Sequence, residues 1–265
     1  MAVSSVTTNL VEKNKEYKTL KDAVLHLIRS DIISGELKPD SKIKADDLKK
    51  RYGVGTSPIR EALFQLVSEG LVQVQGQRGF RVATISEAEL LDITDWRVRM
   101  ECEALRRSIE HGDVAWEAEA LAAFHRLKHV QMDFDQTSQS GKSQIDFSDQ
   151  WEALHREYHF ALYRACGSPW LIRFCEPLLR HGERYRRAYI QYPYVTPSIT
   201  QEHRDILELA IAREADQAVK LLEQHIRHAG DLLQRHVRQL PRTDADADQG
   251  EGGKRLSRLS RVPGR

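Results

Sequence analysis

Apolar residues recur along most of this chain at three- and four-residue intervals, and the places where that rhythm breaks divide it into elements. Leu20, Val24, Leu27, Ile28 and Ile32 predict a first helix that ends before Gly35, with Pro39 confirming the break. Leu48 and Tyr52 give a second, shorter helix one apolar edge, and Gly53 ends it where a positive φ is needed. Ser57 followed by Pro58 reads as an N-cap with proline at the first position of a third helix, where the missing N–H is no loss. Ile59, Ala62, Leu63, Leu66 and Val67 form that helix's packed stripe, and Thr56, Ser57, Arg60 and Gln65 lie off it. Gly70 closes the helix. Leu71 to Val74 and Phe80 to Val82 are β-prone runs, joined by a turn at Gly76 to Gly79 that carries Gln77 and Arg78.

Beyond this hairpin the helical rhythm returns and persists. Ser86 with Glu89 predicts a capping box opening a long helix to about Glu110, and Gly112 with Asp113 supplies a stop and a new cap. Helices are then expected over Val114 to Met132, Phe147 to Cys166, Pro169 to about Gln191 with Ser168 as cap, Ser198 to Arg213, and Ala215 to Gln239. A polar loop at 135–146 separates the first two of these. No strand signal of comparable strength interrupts them, so an all-α bundle of about six helices is expected. The expected fold class is mainly α: a winged helix-turn-helix over 17–83 and an α-helical bundle over 84–240. Residues 1–16 read as a disordered lead and 241–265 as a disordered tail.

Two short helices, a tight turn and a basic glycine-rich hairpin, in that order, make double-stranded DNA the leading partner for the first unit. The net charge of +1 argues weakly against this only if charge is evenly spread. It is not: residues 17–83 carry about four more basic than acidic residues and 84–240 about five more acidic ones. Candidate DNA contacts are Thr56, Ser57 and Arg60 on the third helix, Gln77 and Arg78 in the wing, and Lys44 and Lys49 beside the second helix, where they can meet phosphates. One reading helix contacts too few bases for useful specificity, so a homodimer on a near-palindromic operator is expected. Three cysteines, Cys102, Cys166 and Cys175, without a CxxC pair suggest neither a disulfide framework nor a thiolate zinc site. With no apolar run near eighteen residues and no signal-peptide pattern, a reducing cytoplasm is the expected compartment.

The second unit's chemistry lies in histidines on apolar stripes. His155 and His159 are four apart and share a helix face; His203 is in line with Ile206, Leu207 and Ala210; His225 lies among Leu221, Leu222 and Ala229. A lone histidine of this kind is usually a satisfied core residue. Three helices each bringing imidazole to a core-facing stripe point instead to a divalent first-row metal, zinc or nickel. A competing reading is a metal-dependent hydrolase with an accessory DNA-binding domain. The chain has no HExxH and no nucleophile motif, and Glu157 is expected to point away from His155 and His159 on its helix, so a non-enzymatic role is expected. A nucleoid-type binder without effector leaves the burial of these polar groups unexplained.

The stretch Tyr52-Gly53-Val54-Gly55-Thr56-Ser57-Pro58-Ile59-Arg60-Glu61-Ala62-Leu63, with Glu69-Gly70-Leu71-Val72, resembles the amino-terminal domain of the GntR family of bacterial transcription regulators. Residues 86–238 resemble the FCD ligand-binding domain of the family's FadR subgroup, through Arg97 and Glu101, Tyr158-His159, Ala165 to Pro169, Glu202-His203 and His225. The resemblance implies a ligand-responsive regulator, a repressor in this reading, with His159, His203 and His225 as metal ligands. It places an Asp four residues before the first histidine; this chain has His155 there, which removes one negative charge from the ligand set. It also implies a small carboxylate effector, for which Arg97 is the leading anchor because a guanidinium fork holds a carboxylate bidentately. The cluster Arg184, Tyr185, Arg186 and Arg187 offers further candidates, two of which can face inward, with Arg184 and Tyr185 placed in the site. Within the subgroup, Trp116 to Leu127 and Ser168 to Tyr189 resemble repressors of glutarate catabolism, which implies a dicarboxylate such as glutarate.

Overall fold

A computed structural model describes residue 17 and residues 19–76, 79–137, 144–189 and 197–238; for 131–137, 144–148, 189, 197 and 198 the backbone alone is described. The expected lead at 1–16, the wing residues Gln77 and Arg78, and the expected tail at 241–265 lie outside the described residues.

The first unit packs helices α1 (Leu20–Ile33), α2 (Ala45–Tyr52) and α3 (Thr56–Ser68) against a small sheet. Thr19 caps α1 by accepting the Asp22 N–H, and Gly53, at φ 65°, caps α2 in the left-handed region, where a side chain would be strained. Val24, Ile28, Ile32, Leu48, Ile59, Leu63, Leu66 and Val82 form one buried cluster. Each such aliphatic side chain contributes roughly 1.5–3 kcal/mol by leaving water. The hairpin strands β2 (Val72–Val74) and β3 (Phe80–Val82) pair antiparallel, Val72 opposite Val82 and Val74 opposite Phe80. A third strand, β1 (Lys42–Ile43), pairs with the other edge of β3, giving the order β1-β3-β2. Two residues are too few to show an alternating pattern, so this strand has no sequence signal.

One cap differs from expectation. Helix α3 starts at Thr56 with Gly55 as N-cap, and Ser57 lies inside the first turn, its hydroxyl donating to Glu61 at 3.0 Å. Pro58 is the third helical residue rather than the first. Its missing N–H still falls among the four that have no acceptor within the helix, so the earlier start costs no hydrogen bond.

Six helices follow: α4 (Glu87–His111), α5 (Val114–Thr137), α6 (Gln144–Tyr163), α7 (Pro169–Tyr189), α8 (Pro197–Ile211) and α9 (Ala215–Arg238). Helix α5 runs five residues beyond Met132 and α6 begins before Phe147, so both helices extend into the polar loop expected at 135–146, of which 138–143 lie outside the described residues. Helix α6 ends at Tyr163 rather than Cys166. The Cys166 N–H turns back to the Tyr163 carbonyl, and Gly167, at φ 68°, redirects the chain. The bundle core includes Ala104, Leu105, Trp116, Ala120, Leu162, Cys175, Ile206, Leu207 and Leu222.

The capping box at α4 is modified. Ser86 accepts the Glu89 N–H at 3.1 Å, but the Tyr185 hydroxyl stands between the other two partners, accepting the Ser86 N–H at 3.1 Å and donating to the Glu89 carboxylate at 2.6 Å. Neighbouring residues of α7 also grip the first unit. Arg184 donates to the carbonyls of Ala83 and Thr84, and His181 Nε2 lies 2.9 Å from the Glu69 carbonyl at the C-cap of α3. Glu69 is bound in turn by Arg29, whose Nε and Nη2 donate to the two carboxylate oxygens at 2.8 and 2.6 Å.

Candidate nucleic-acid face and candidate metal centre

Thr56, Ser57 and Arg60 are all exposed along the N-terminal half of α3, opposite the buried stripe of Ile59, Ala62, Leu63 and Leu66. The first turn of α3 has no acidic residue and no side-chain cap, so its N–H groups and the positive end of the helix dipole remain open to a phosphate. Lys44 is exposed at the N-cap of α2, and Lys49 is half-exposed, 3.4 Å from Asp46. Such a weak, solvated pair does little to restrain the lysine.

In the bundle, Trp151, His155, His159 and Tyr163 recur every four residues on α6 and form one inward stripe. Helix α8 adds His203 and α9 adds His225, and one potential ligand atom from each of the four histidines lies within 4.8 Å of all the others. All four are buried. The His155 and His159 Nε2 atoms are 3.1 Å apart, and His203 Nε2 is buried with no hydrogen-bond partner among the described residues. Tetrahedral zinc with Zn–N bonds near 2.0–2.1 Å needs nitrogens about 3.3 Å apart. Convergent buried imidazoles with an orphaned nitrogen therefore fit such an ion.

Outer contacts fix two of the rings. Tyr163 donates its hydroxyl proton to Glu101 at 2.7 Å, so its oxygen can accept only from His159 Nδ1, 3.0 Å away. The proton of His159 is thereby held on Nδ1 and its Nε2 lone pair faces the centre. His225 Nδ1 likewise donates to Glu202 at 2.8 Å, a contact that lowers the Glu202 pKa. His155 stacks on Trp151 at 4.4 Å, and its Nδ1 has no partner among the described residues. Burial first, and neighbouring positive groups second, push His155, His159 and His203 well below the usual histidine range. They are neutral at pH 7, the form that binds a metal.

A small cavity of about 10 Å³ adjoins the imidazoles, lined by Arg97, Trp151, His155, Arg186, Ile199 and His225 among others. Arg97 is buried against Glu101, with Nε and Nη2 at 2.7 and 3.4 Å from its carboxylate. Of the other candidates named from the sequence, Arg184 and Tyr185 do not line it. Arg184 and Tyr185 turn to the junction at Ala83 to Glu89, because successive helical residues point in different directions and only every third or fourth shares a face. Arg186 faces the cavity in their place, bound to Glu152 at 2.9 and 2.7 Å. Sequence reasoning missed Glu152, Tyr163 and Trp151 as site residues, and held Arg186 only as one member of the cluster Arg184 to Arg187. The four-residue spacing of Trp151 and Tyr163 from the two histidines was the available signal. Glu157 does turn outward, paired with Arg126 on the surface.

The fold is thus a winged helix-turn-helix joined to a helical bundle that gathers four histidines around a buried point, the architecture of a DNA-binding regulator with a sensing domain. Residues 20–82 match the family described as bacterial regulatory proteins, gntR family, and residues 92–228 match the FCD domain. The chain is 36% identical over 209 residues to the HTH-type transcriptional regulator BphR of Paraburkholderia xenovorans (strain LB400), covering 79% of this chain and 83% of that one. It is 34% identical over 203 residues to the HTH-type transcriptional repressor GlaR of Escherichia coli (strain K12), covering 75% and 89%. Among solved structures, E. coli McbR/YncC superposes with a TM-score of 0.66 at 20% identity, over 83% of this chain and 99% of that one, a likeness of fold alone. The chain belongs to the GntR family of bacterial transcription regulators and carries an FCD domain. It is a DNA-binding transcriptional regulator. No helix among the described residues is long and apolar enough to cross a membrane.

Proposed function

We propose that this regulator is a cytoplasmic repressor that binds a near-palindromic operator as a homodimer, carries a divalent metal in its bundle, and is switched by a small carboxylate. The domains divide at 83/84 in this reading. Thr56, Ser57 and Arg60 meet bases and phosphates, Lys44 and Lys49 meet phosphates, and Gln77 and Arg78 reach from the wing. His155, His159, His203 and His225 hold the metal, zinc or nickel by the preference of neutral imidazole. When bound, the ion supplies a Lewis-acidic point for a carboxylate oxygen. Arg97 orients that carboxylate, and the dry walls of Trp151 and Ile199 keep water from competing with it. An effector that fits only one placement of the two DNA-binding domains shifts their affinity for the operator.

The observation that carries this reading is the convergence of four buried imidazoles beside a buried arginine. Keeping such polar groups out of water is costly unless partners arrive. The repressor part rests on the relative GlaR, a repressor by name. The test is elemental analysis of protein purified without chelator, with operator binding followed by fluorescence anisotropy while small mono- and dicarboxylates are added. About one metal per chain is expected, lost in His203→Ala, together with a carboxylate that changes operator affinity. Metal-free wild-type protein that still responds to carboxylates overturns the metal; operator binding indifferent to every carboxylate overturns the switch.

A further inference from the structure

Phe64 is 52% exposed on α3, four residues after Arg60 and seven after Ser57. At that spacing the three side chains share one face of the helix, opposite the buried stripe, and exposed Ser68 continues it. The ring therefore points where the candidate DNA contacts point. The core does not require it, because Ile59, Ala62, Leu63 and Leu66 close the inner side of α3 without Phe64.

The ring is also held in place. It meets Phe80 of β3 with centroids 5.2 Å apart and planes at 80°, the edge-to-face arrangement that aromatic quadrupoles prefer. Phe80 pairs across the hairpin with Val74, itself exposed. An apolar seam thus runs from the helix to the wing strands, continuous with the face of Thr56, Ser57 and Arg60. No side chain of this seam can hydrogen-bond, so it can discriminate bases only by apolar contact. In the major groove one base carries an apolar group, the 5-methyl of thymine.

We infer that Phe64 is a specificity-determining residue, packing its ring on a thymine 5-methyl group in each operator half-site beside the group met by Arg60. Duplex DNA is the occupant of the seam because the seam continues the face that carries Arg60 and the open first turn of α3. With Phe80 already restraining the ring, little side-chain freedom remains to be lost on docking. This rests on the proposal that α3 is the reading helix, and adds to it a preference for thymine that no polar contact supplies. One buried methyl group accounts for about fourfold in affinity.

The test uses the full-length protein and a duplex that it selects from a random pool. Each thymine of that duplex is replaced in turn by deoxyuridine, which lacks only the methyl group, and binding is followed by fluorescence anisotropy. At least one position in each half-site is expected where deoxyuridine weakens wild-type binding about fourfold. In Phe64→Ala the two bases are expected to bind alike at that position, and in Arg60→Ala, weaker throughout, the fourfold ratio is expected to persist. The ratio is taken within each variant, so a general loss of affinity or of folded protein cancels from it. Wild-type protein indifferent to every methyl group, or a ratio kept in Phe64→Ala, overturns the contact, and α3 stands as the reading helix if Arg60→Ala still weakens binding. A kept ratio together with a Phe64→Ala protein that light scattering finds monomeric, where wild type is dimeric, assigns the ring to a contact between copies instead. Unchanged affinity in both variants overturns the contact and the reading helix together.

Discussion

Replacing Tyr163 with phenylalanine removes one oxygen atom from the centre of the bundle and tests how the proposed metal site is organised. That oxygen donates to Glu101 at 2.7 Å and accepts from His159 Nδ1 at 3.0 Å, and all three residues are buried. Two losses follow. Glu101 keeps Arg97 but loses a hydrogen bond to a buried carboxylate, which costs about 1.5–3 kcal/mol of stability. His159 loses the group that keeps its proton on Nδ1, so the tautomer with a proton on Nε2 becomes accessible and must be reversed before a metal can bind. Removing such an outer partner typically costs about 10–100-fold in metal affinity. The assay is competition for zinc against a chromophoric chelator, with urea unfolding of the metal-free protein measured in parallel. Tyr158→Phe is the control, because the Tyr158 hydroxyl donates to the His203 backbone carbonyl at 2.6 Å, not to an imidazole nitrogen. It should lower stability while leaving zinc affinity within about threefold. Equal zinc affinity in Tyr163→Phe and wild type would refute the tautomer argument, whatever happened to stability.

Three further outcomes are expected. Arg60→Ala should weaken operator binding by about 1–3 kcal/mol if Arg60 reads a base, and unchanged anisotropy titrations would remove it from the reading set. The metal-free protein should lose stability as pH falls below about 6.5, because His155, His159, His203 and His181 are all held below their ordinary pKa by burial and the unfolded chain then binds protons the folded chain refuses. Each contributes up to about 1.4 kcal/mol per pH unit, present above that pH and lost beneath it, so urea midpoints that stay level from pH 7.5 to 5.5 would contradict the burial argument. His181→Ala should leave operator affinity of the effector-free protein within about threefold while shrinking the response to a carboxylate, and a full response would show that this contact carries no signal.

The helices and the reading motif were legible because they rest on local rules. Gly53, the stripe from Ile59 to Leu66 and the Ser86 cap each state their role within a few residues. The four histidines were legible for the same reason, since each sits on an apolar stripe of its helix, His155 and His159 on the same one. What escaped was decided at a distance. β1 exists because β3 has a free edge to pair with, and Ser57 is not a cap because Gly55 already leads into the helix. Arg184 and Arg186 look equivalent in sequence, and only the rotation of α7 within the bundle sends one to the Ala83 carbonyl and the other to Glu152.

The contact between His181 and the Glu69 carbonyl gives the recognition helix a second master. In the proposed reading α3 offers its N-terminal end to DNA, while its C-cap carbonyl is held by His181 on α7. If an effector binds in the bundle and moves α7, this contact gives it a route to the far end of α3 that does not run through the junction at Ala83 to Ser86. By reciprocity, if a carboxylate alters operator affinity, operator fragments should alter carboxylate affinity by the same factor.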